Sequence, residues 1–285
     1  MKKAVIFGAT SNIERVEAIQ KSYDVVFAVD NDKSKMGKYL NDSIPIKDVS
    51  ELSNCGFDCV VIASIIAQEE MYSQLVNDFQ IDERNIVLGF VDFQLKSRVQ
   101  FLASFSQIAH DQKIQGSVCE VGVFRGEFAK EINQCFSDRK CYLFDTFEGF
   151  DARDIEKEKN MGYSSGDGGH LNITSTELVL AKMKHKDKIV IKKGYFPETF
   201  DIGDEKFCFV NLDVDLYLPI KEGLRIFWPL LSIGGVILVH DYFHPAYKGV
   251  KAAVDEFAKE NTLCFVPIGD SISVAFIKQA EVSSL

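Results

Sequence analysis

The sequence has no Cys-x-x-Cys pair, no proline- or glycine-rich linker, no basic excess and no apolar run of bilayer length. Each absence removes a class of protein. The seven cysteines, at 55, 59, 119, 135, 141, 208 and 264, are odd in number and scattered. This excludes a paired-thiolate zinc site and argues against a disulfide framework. Cys119, Cys141 and Cys208 lie inside apolar runs, as free buried thiols do in a reducing cytoplasm. Acidic residues outnumber basic ones 42 to 32, so the electrostatic footprint of a nucleic-acid binder is missing. A membrane span needs about 20 apolar residues, and the run after Met1-Lys2-Lys3 is too short even for a signal segment. The expectation is a cytoplasmic protein with no membrane partner. Hydrophobic residues make up 46% and charged residues 26%, as in soluble globular proteins, and 285 residues suffice for two domains.

What is present is an alternation of strand-like and helix-like segments, twice over. In residues 1–92, apolar runs at 3–8, 23–29, 44–46, 59–63 and 85–88 read as strands. Ser11-x-x-Glu14 is a capping box for a helix to about 22, and a second helix covers about 68–79. Strands alternating with helices predict a parallel, doubly wound α/β sheet. Gly8 is the one glycine where a dinucleotide fingerprint carries three, while Asp30 ends the second strand where a ribose-binding acid belongs. The bland reading of this domain, an interaction surface for homo-oligomer formation, is favoured over nucleotide binding. Residues 93–116 carry apolar positions at helical spacing and form a helical connector.

Residues 117–285 hold the most informative stretch, Val118-Cys119-Glu120-Val121-Gly122-Val123-Phe124-Arg125-Gly126-Glu127-Phe128. It reads as a buried strand, a glycine turn and a helix start. Gly122 and Gly126 let the backbone turn tightly and approach a ligand. The helix start leaves unpaired N–H groups facing that ligand. Glu120, at the strand end, could hold an ammonium group. Asp145 closes the next strand 23 positions after Gly122, where ribose hydroxyls need an acid. An acid ahead of two glycines suits a ligand with an amino acid end. Adenosine plus an amino acid is S-adenosylmethionine, and here the sequence resembles the class I methyltransferases.

Downstream, the charged and then glycine-rich segment 151–172 reads as a lid, an acceptor loop or a solvated insertion. Thr174-x-x-Glu177 resembles a second capping box, opening a helix to about 184. The buried strand Phe207-Cys208-Phe209-Val210-Asn211-Leu212 delivers Asp213 and Asp215, and another delivers His240 and Asp241. All four fall at carboxyl ends of neighbouring strands, where open α/β sheets place ligands. Asp213 and Asp215 share a face if the strand persists. Converging carboxylates suit Mg²⁺, which could orient an acceptor hydroxyl and sharpen it as a nucleophile. The structural alternative is that Asp213 supports the cofactor while His240 and Asp241 are architectural. Strands at about 263–267 and 272–277 would close the sheet with an antiparallel edge.

The motifs Glu120-Val-Gly122…Gly126, Asp145-Thr-Phe-Glu-Gly, Gly194-Tyr-Phe-Pro-Glu-Thr, Leu212-Asp-Val-Asp-Leu-Tyr217, Gly234-Gly…Asp241-Tyr242 and Ala253-Val-Asp-Glu-Phe257 occur in this order. Together they resemble the macrocin/mycinamicin-type O-methyltransferases over about 95–277. The first domain resembles Rossmann-like domains of sugar and polysaccharide biosynthesis proteins. The resemblance implies S-adenosylmethionine held by Glu120, Gly122, Phe124, Gly126, Asp145, Thr146, Tyr195 and Asp213. It implies Mg²⁺ on Asp213, Asp215, His240 and Asp241, and a small-molecule sugar acceptor. The family pattern has Asp where this chain has His240, an imidazole that suits Mg²⁺ poorly. A histidine of the inserted region is the family's base, which points to His170, with His240 as rival beside Asp213 and Asp241. The alternatives are methyl transfer to a non-sugar hydroxyl or an amine, or a non-catalytic nucleotide-binding or assembly protein.

Overall fold

The computed structural model describes residues 1–10, 13–64, 67–88, 91–164 and 169–280. They divide into two compact units, Met1–Gln94 and Leu95–Leu285. The first runs β1 (Lys3–Phe7), α1 (Ile13–Ser22), β2 (Asp24–Asp30), β3 (Tyr39–Leu40), β4 (Ile44–Asp48), β5 (Cys59–Ile62), α2 (Gln68–Asn77) and β6 (Ile86–Leu88). Its sheet has the order β3-β4-β2-β1-β5-β6, parallel except for the β3–β4 pair. Side chains of β1 alternate between two cores, Ala4 and Ile6 on one face and Val5 and Phe7 on the other. A strand covered on both faces reads as a continuous apolar run, which is why β1 and β5 were legible. The capping Ser11 lies outside the described residues.

The expected connector is one helix, α3 (Val91–Asp111), whose Leu102, Phe105 and Ala109 join the core of the second unit. That unit continues with β7 (Ser117–Val121), α4 (Glu127–Cys135), β8 (Cys141–Asp145), α5 (Ala152–Met161), α6 (Thr176–Lys182), β9 (Ile189–Lys193), β10 (Phe207–Leu212), α7 (Tyr217–Leu230), β11 (Leu231–Val239), α8 (Lys248–Asn261), β12 (Val266–Pro267) and β13 (Val274–Ile277). The sheet order is β12-β13-β11-β10-β7-β8-β9. Only β13 runs against its neighbours, pairing antiparallel with β11 and β12, as expected of the edge. One face packs against α7 and α8, the other against α3, α4 and α6. All seven cysteines are free thiols, and no described helix is long and apolar enough to cross a membrane.

Two local expectations are corrected. The segment after Asp151 is a helix, α5, where a loop was expected. Asp151 caps it by accepting the Arg153 N–H at 2.9 Å. Its inward side chains are Asp154 and Glu158, one turn apart, so apolar periodicity could not reveal it. The cap of α6 is Ser175, which accepts the Leu178 N–H at 3.1 Å, in place of Thr174. The Thr174 hydroxyl instead donates to the Phe124 carbonyl.

Phe227 of α7 is fully buried, edge-on to Phe207 at 5.1 Å and stacked on Phe196 at 6.1 Å. It joins one face of the sheet to the turn after β9. Phe227→Ala is expected to cost about 3–5 kcal/mol in urea unfolding, through lost transfer energy plus a cavity.

Candidate active site

The parallel strands end on one edge, where Gly122, Phe124, Asp145, Thr146, Tyr195 and Asp213 line a common pocket. Gly122 has φ +84°, and a Cβ there would drive into the backbone of Asp213, so only glycine fits. The clash exists because the β7–β10 ladder continues past the strand ends, with Asp213 N–H donating to the Val121 carbonyl at 2.8 Å. Asp145 accepts the N–H groups of Val123 at 2.7 Å and Phe124 at 2.8 Å on Oδ2, and that of Phe147 at 2.6 Å on Oδ1. Its carboxylate therefore folds the glycine turn as well as facing the pocket. Burial pushes its pKa up against these hydrogen bonds, which pull it down. Gly126, at φ +79°, is the N-cap of α4 and packs near Val179, away from the pocket lining.

Glu120 is 1% exposed and is not among the residues that line the pocket. Oε1 accepts from Asn211 Nδ2 at 2.9 Å, while Oε2 and Asn211 Oδ1 have no partner. Burial first, and then the charge of Asp213, raise its pKa well above the carboxylate range. A buried acid so placed is favoured in its protonated form.

Asp213, His240 and Asp241 each bring a donor atom within 4.8 Å of the others. The His240 N–H donates to the Leu212 carbonyl at 2.9 Å, extending the ladder so that the two strand ends meet. His240 Nδ1 stands 2.9 Å from Asp213 Oδ1 and 3.0 Å from Asp241 Oδ2. Both are ion-pair distances at a buried ring nitrogen. Two donors at right angles on an ion with bonds of about 2.1 Å stand about 3 Å apart. The ring nitrogen and its two carboxylate neighbours thus have the donor types and spacing to fit a divalent cation. Burial alone would lower the imidazole pKa, but the Asp213 and Asp241 charges outweigh it and, without an ion, hold it at about 9.

The fourth expected ligand, Asp215, stands outside this trio. The expectation required β10 to persist, but it ends at Leu212, and Asp215 turns to φ +59°. Its carboxyl meets Asp241, and burial followed by that neighbour's charge raises its pKa strongly. His170 lies in a short 3₁₀ turn at Gly169–Asn172, but its side chain is outside the described residues.

Sequence reading missed Arg98. From α3, its Nη1 donates to Asp213 Oδ2 at 2.7 Å, and its guanidinium lies 4.8 Å from the centre of the Phe128 ring. It is 9% exposed. A signal existed, since position 98 falls on the apolar stripe of Leu95, Leu102, Phe105 and Ala109. Arg98 engages Oδ2 and leaves Oδ1 facing His240, orienting the carboxylate from behind as outer partners orient metal ligands.

Asp154, 6% exposed, reaches the same pocket from α5 and accepts from the Tyr195 hydroxyl at 2.9 Å. Glu158, one turn on, faces the start of α7, where the Tyr217 N–H donates to it at 3.4 Å, and abuts Gly249 at the start of α8. Two positive helix ends thus meet one carboxylate.

Residues 92–274 match the macrocin-O-methyltransferase (TylF) family model. The chain belongs to this family. Residues 1–87 match the C2185-like N-terminal domain. One relative is the mycinamicin III 3''-O-methyltransferase of Micromonospora griseorubida, 26% identical over 157 residues, half of this chain and 61% of that protein. Another is the 8-demethyl-8-(2,3-dimethoxy-α-L-rhamnosyl)-tetracenomycin-C 4'-O-methyltransferase of Streptomyces olivaceus, 25% identical over 45% of this chain and 54% of that protein. The chain spans between half and two thirds of the length of these relatives. Among solved structures, the O-methyltransferase NovP superposes with a TM-score of 0.55 at 21% identity, over 65% of this chain and 80% of NovP. The calicheamicin methyltransferase CalS11 gives 0.53 at 17%, over 80% and 88%. These likenesses establish the Rossmann-like fold.

In the C2185-like unit, Asp30 already has partners. Its Oδ2 accepts from Ala9 N–H at 2.7 Å and Lys35 Nζ at 3.0 Å, and its Oδ1 from Asp32 N–H at 2.8 Å. The chain's own donors engage the carboxylate that stands at the position of a ribose acid.

Burial raises the Asp154 pKa from 3.8 to about 6, against the Tyr195 hydrogen bond, which lowers it. A raised acid stabilises the fold fully below its unfolded pKa and loses that contribution as pH rises through the folded value. The loss falls between about pH 4 and pH 6 and is complete above. Asp154→Asn lacks this titration and keeps an acceptor for Tyr195. In urea unfolding, its stability relative to wild type should therefore improve between pH 4.5 and 7.5, by about 1–3 kcal/mol.

Proposed function

We propose that the chain is an S-adenosylmethionine-dependent O-methyltransferase acting on a sugar hydroxyl of a glycoside, nucleotide sugar or polysaccharide precursor. The observation that carries this reading is one pocket in which the glycine turn and Asp145 face Asp213, the first member of the cation cluster. Family membership supports the reaction. The names of the two relatives, a 3''- and a 4'-O-methyltransferase, the second with a rhamnosyl group in its substrate, support the acceptor class.

The chemistry is an in-line displacement. An acceptor oxygen bonds to the sulfonium methyl carbon, the carbon–sulfur bond breaks with its electron pair going to sulfur, and the hydroxyl proton passes to solvent water. The chain's task is placement. Gly122 lets the cofactor lie against bare backbone, and Asp145 keeps that turn folded while offering its remaining lone pair to ribose. Tyr195 and Asp154 line the pocket as a hydrogen-bonded pair. Asp213, His240 and Asp241 would hold a divalent ion, with Arg98 fixing Asp213 and Asp215 bracing Asp241. Such an ion, when bound, supplies a Lewis acid that lowers the acceptor's pKa and orients it. His240 serves this cluster as a ligand through Nδ1.

Titration calorimetry should show one S-adenosylhomocysteine per chain. Asp145→Ala should weaken it by on the order of 1–3 kcal/mol, since it removes the acceptor for three backbone amides and for ribose. A folded wild type that binds neither S-adenosylmethionine nor its demethylated product overturns the reading. An acceptor screen with methyl-labelled cofactor then separates sugar hydroxyls from phenols and amines.

A further inference from the structure

We propose that His240 makes the Asp213–His240–Asp241 cluster selective for a divalent first-row transition ion over Mg²⁺. The inference deepens the proposed function and rests on its reading of this pocket edge as the reacting centre.

The argument lies in the donor atoms. Nδ1 is a buried ring nitrogen with carboxylate oxygens of Asp213 and Asp241 at 2.9 and 3.0 Å. The three donor atoms lie within 4.8 Å of one another, so an ion that displaces the ring proton can be held by all of them. Mg²⁺ is a hard ion that takes oxygen and keeps its waters, whereas affinity for a mixed nitrogen and oxygen site rises along the divalent first-row series from manganese to copper, and imidazole suits iron, nickel, copper and zinc. One nitrogen and two oxygens on a common face leave further positions open for acceptor oxygens and water.

The surroundings reinforce the choice. Arg98 Nη1 lies 2.7 Å from Asp213 Oδ2, so that oxygen is engaged and Oδ1 is the one beside His240. Asp215 has turned toward Asp241 and is outside the trio, so no third carboxylate joins the face. With two carboxylates and a guanidinium close by, the site has little charge for an ion that binds chiefly by charge. The ligand nitrogen becomes the main source of affinity, and it discriminates.

The test uses the full chain, stripped with EDTA and dialysed. Mn²⁺ binding is followed by loss of the free-ion electron paramagnetic resonance signal, with Mg²⁺ as competitor. Wild type should bind one Mn²⁺, and half-displacement should need at least about a hundredfold excess of Mg²⁺. His240→Asp replaces the nitrogen with oxygen and should lower that ratio by tenfold or more. His240→Gln, which offers a neutral oxygen, should lower it likewise and serves if the aspartate variant melts early. Asp241→Asn should abolish Mn²⁺ binding. Displacement by equimolar Mg²⁺ in wild type, an unchanged ratio in the folded variants, or no Mn²⁺ uptake at all overturns the proposal. Calorimetry with S-adenosylhomocysteine on the same preparations separates the two readings. Cofactor binding without ion selectivity sinks this inference alone, whereas ion selectivity without cofactor binding sinks the proposed function and leaves the ion site standing.

Discussion

The site depends on one close approach, the bare Cα of Gly122 against the backbone of Asp213. The β7–β10 ladder carries on for one more hydrogen bond after both strands end, and the β10–β11 ladder does the same. Those two extra bonds place the glycine turn, Asp213 and His240 side by side. A side chain at Gly122 would push the turn from Asp213. The glycine turn and the Asp213–His240 pair are therefore coupled through main chain, the stiffest connection available.

A second constraint is the use of buried acids as structural parts. Asp145 folds the turn through three amides, Glu158 meets the starts of two helices, and Glu120 shares a hydrogen bond with Asn211 in the core. Each carries a desolvation cost, visible as an upward pKa shift led by burial. α5 shows the consequence most clearly. Its inner face is made of carboxylates, so it is held by helix-end and hydroxyl partners, and its Asp154 presents a polar wall to the pocket. In the C2185-like unit Asp30 is likewise a structural acid, accepting from Lys35 and two backbone amides.

The sequence by itself determined the architecture. Strands buried on both faces must be apolar throughout, so β1, β5, β7, β8, β10 and β11 announce themselves, and their alternation with helices leaves a doubly wound sheet as the outcome. The order of Gly122, Asp145, Asp213 and Asp241 along the chain was enough to place the pocket at the carboxyl edge. Only the tertiary structure decided which side chains act together there. Strand alternation suggested that Asp215 joins Asp213, but a left-handed residue beyond the strand end sends it elsewhere. Arg98 reaches Asp213 from 115 positions away, a contact that no local pattern encodes. Sequence periodicity records which face of an element is dry. It does not record the final turn of backbone after each strand, and at this site that turn sets every distance between donor atoms.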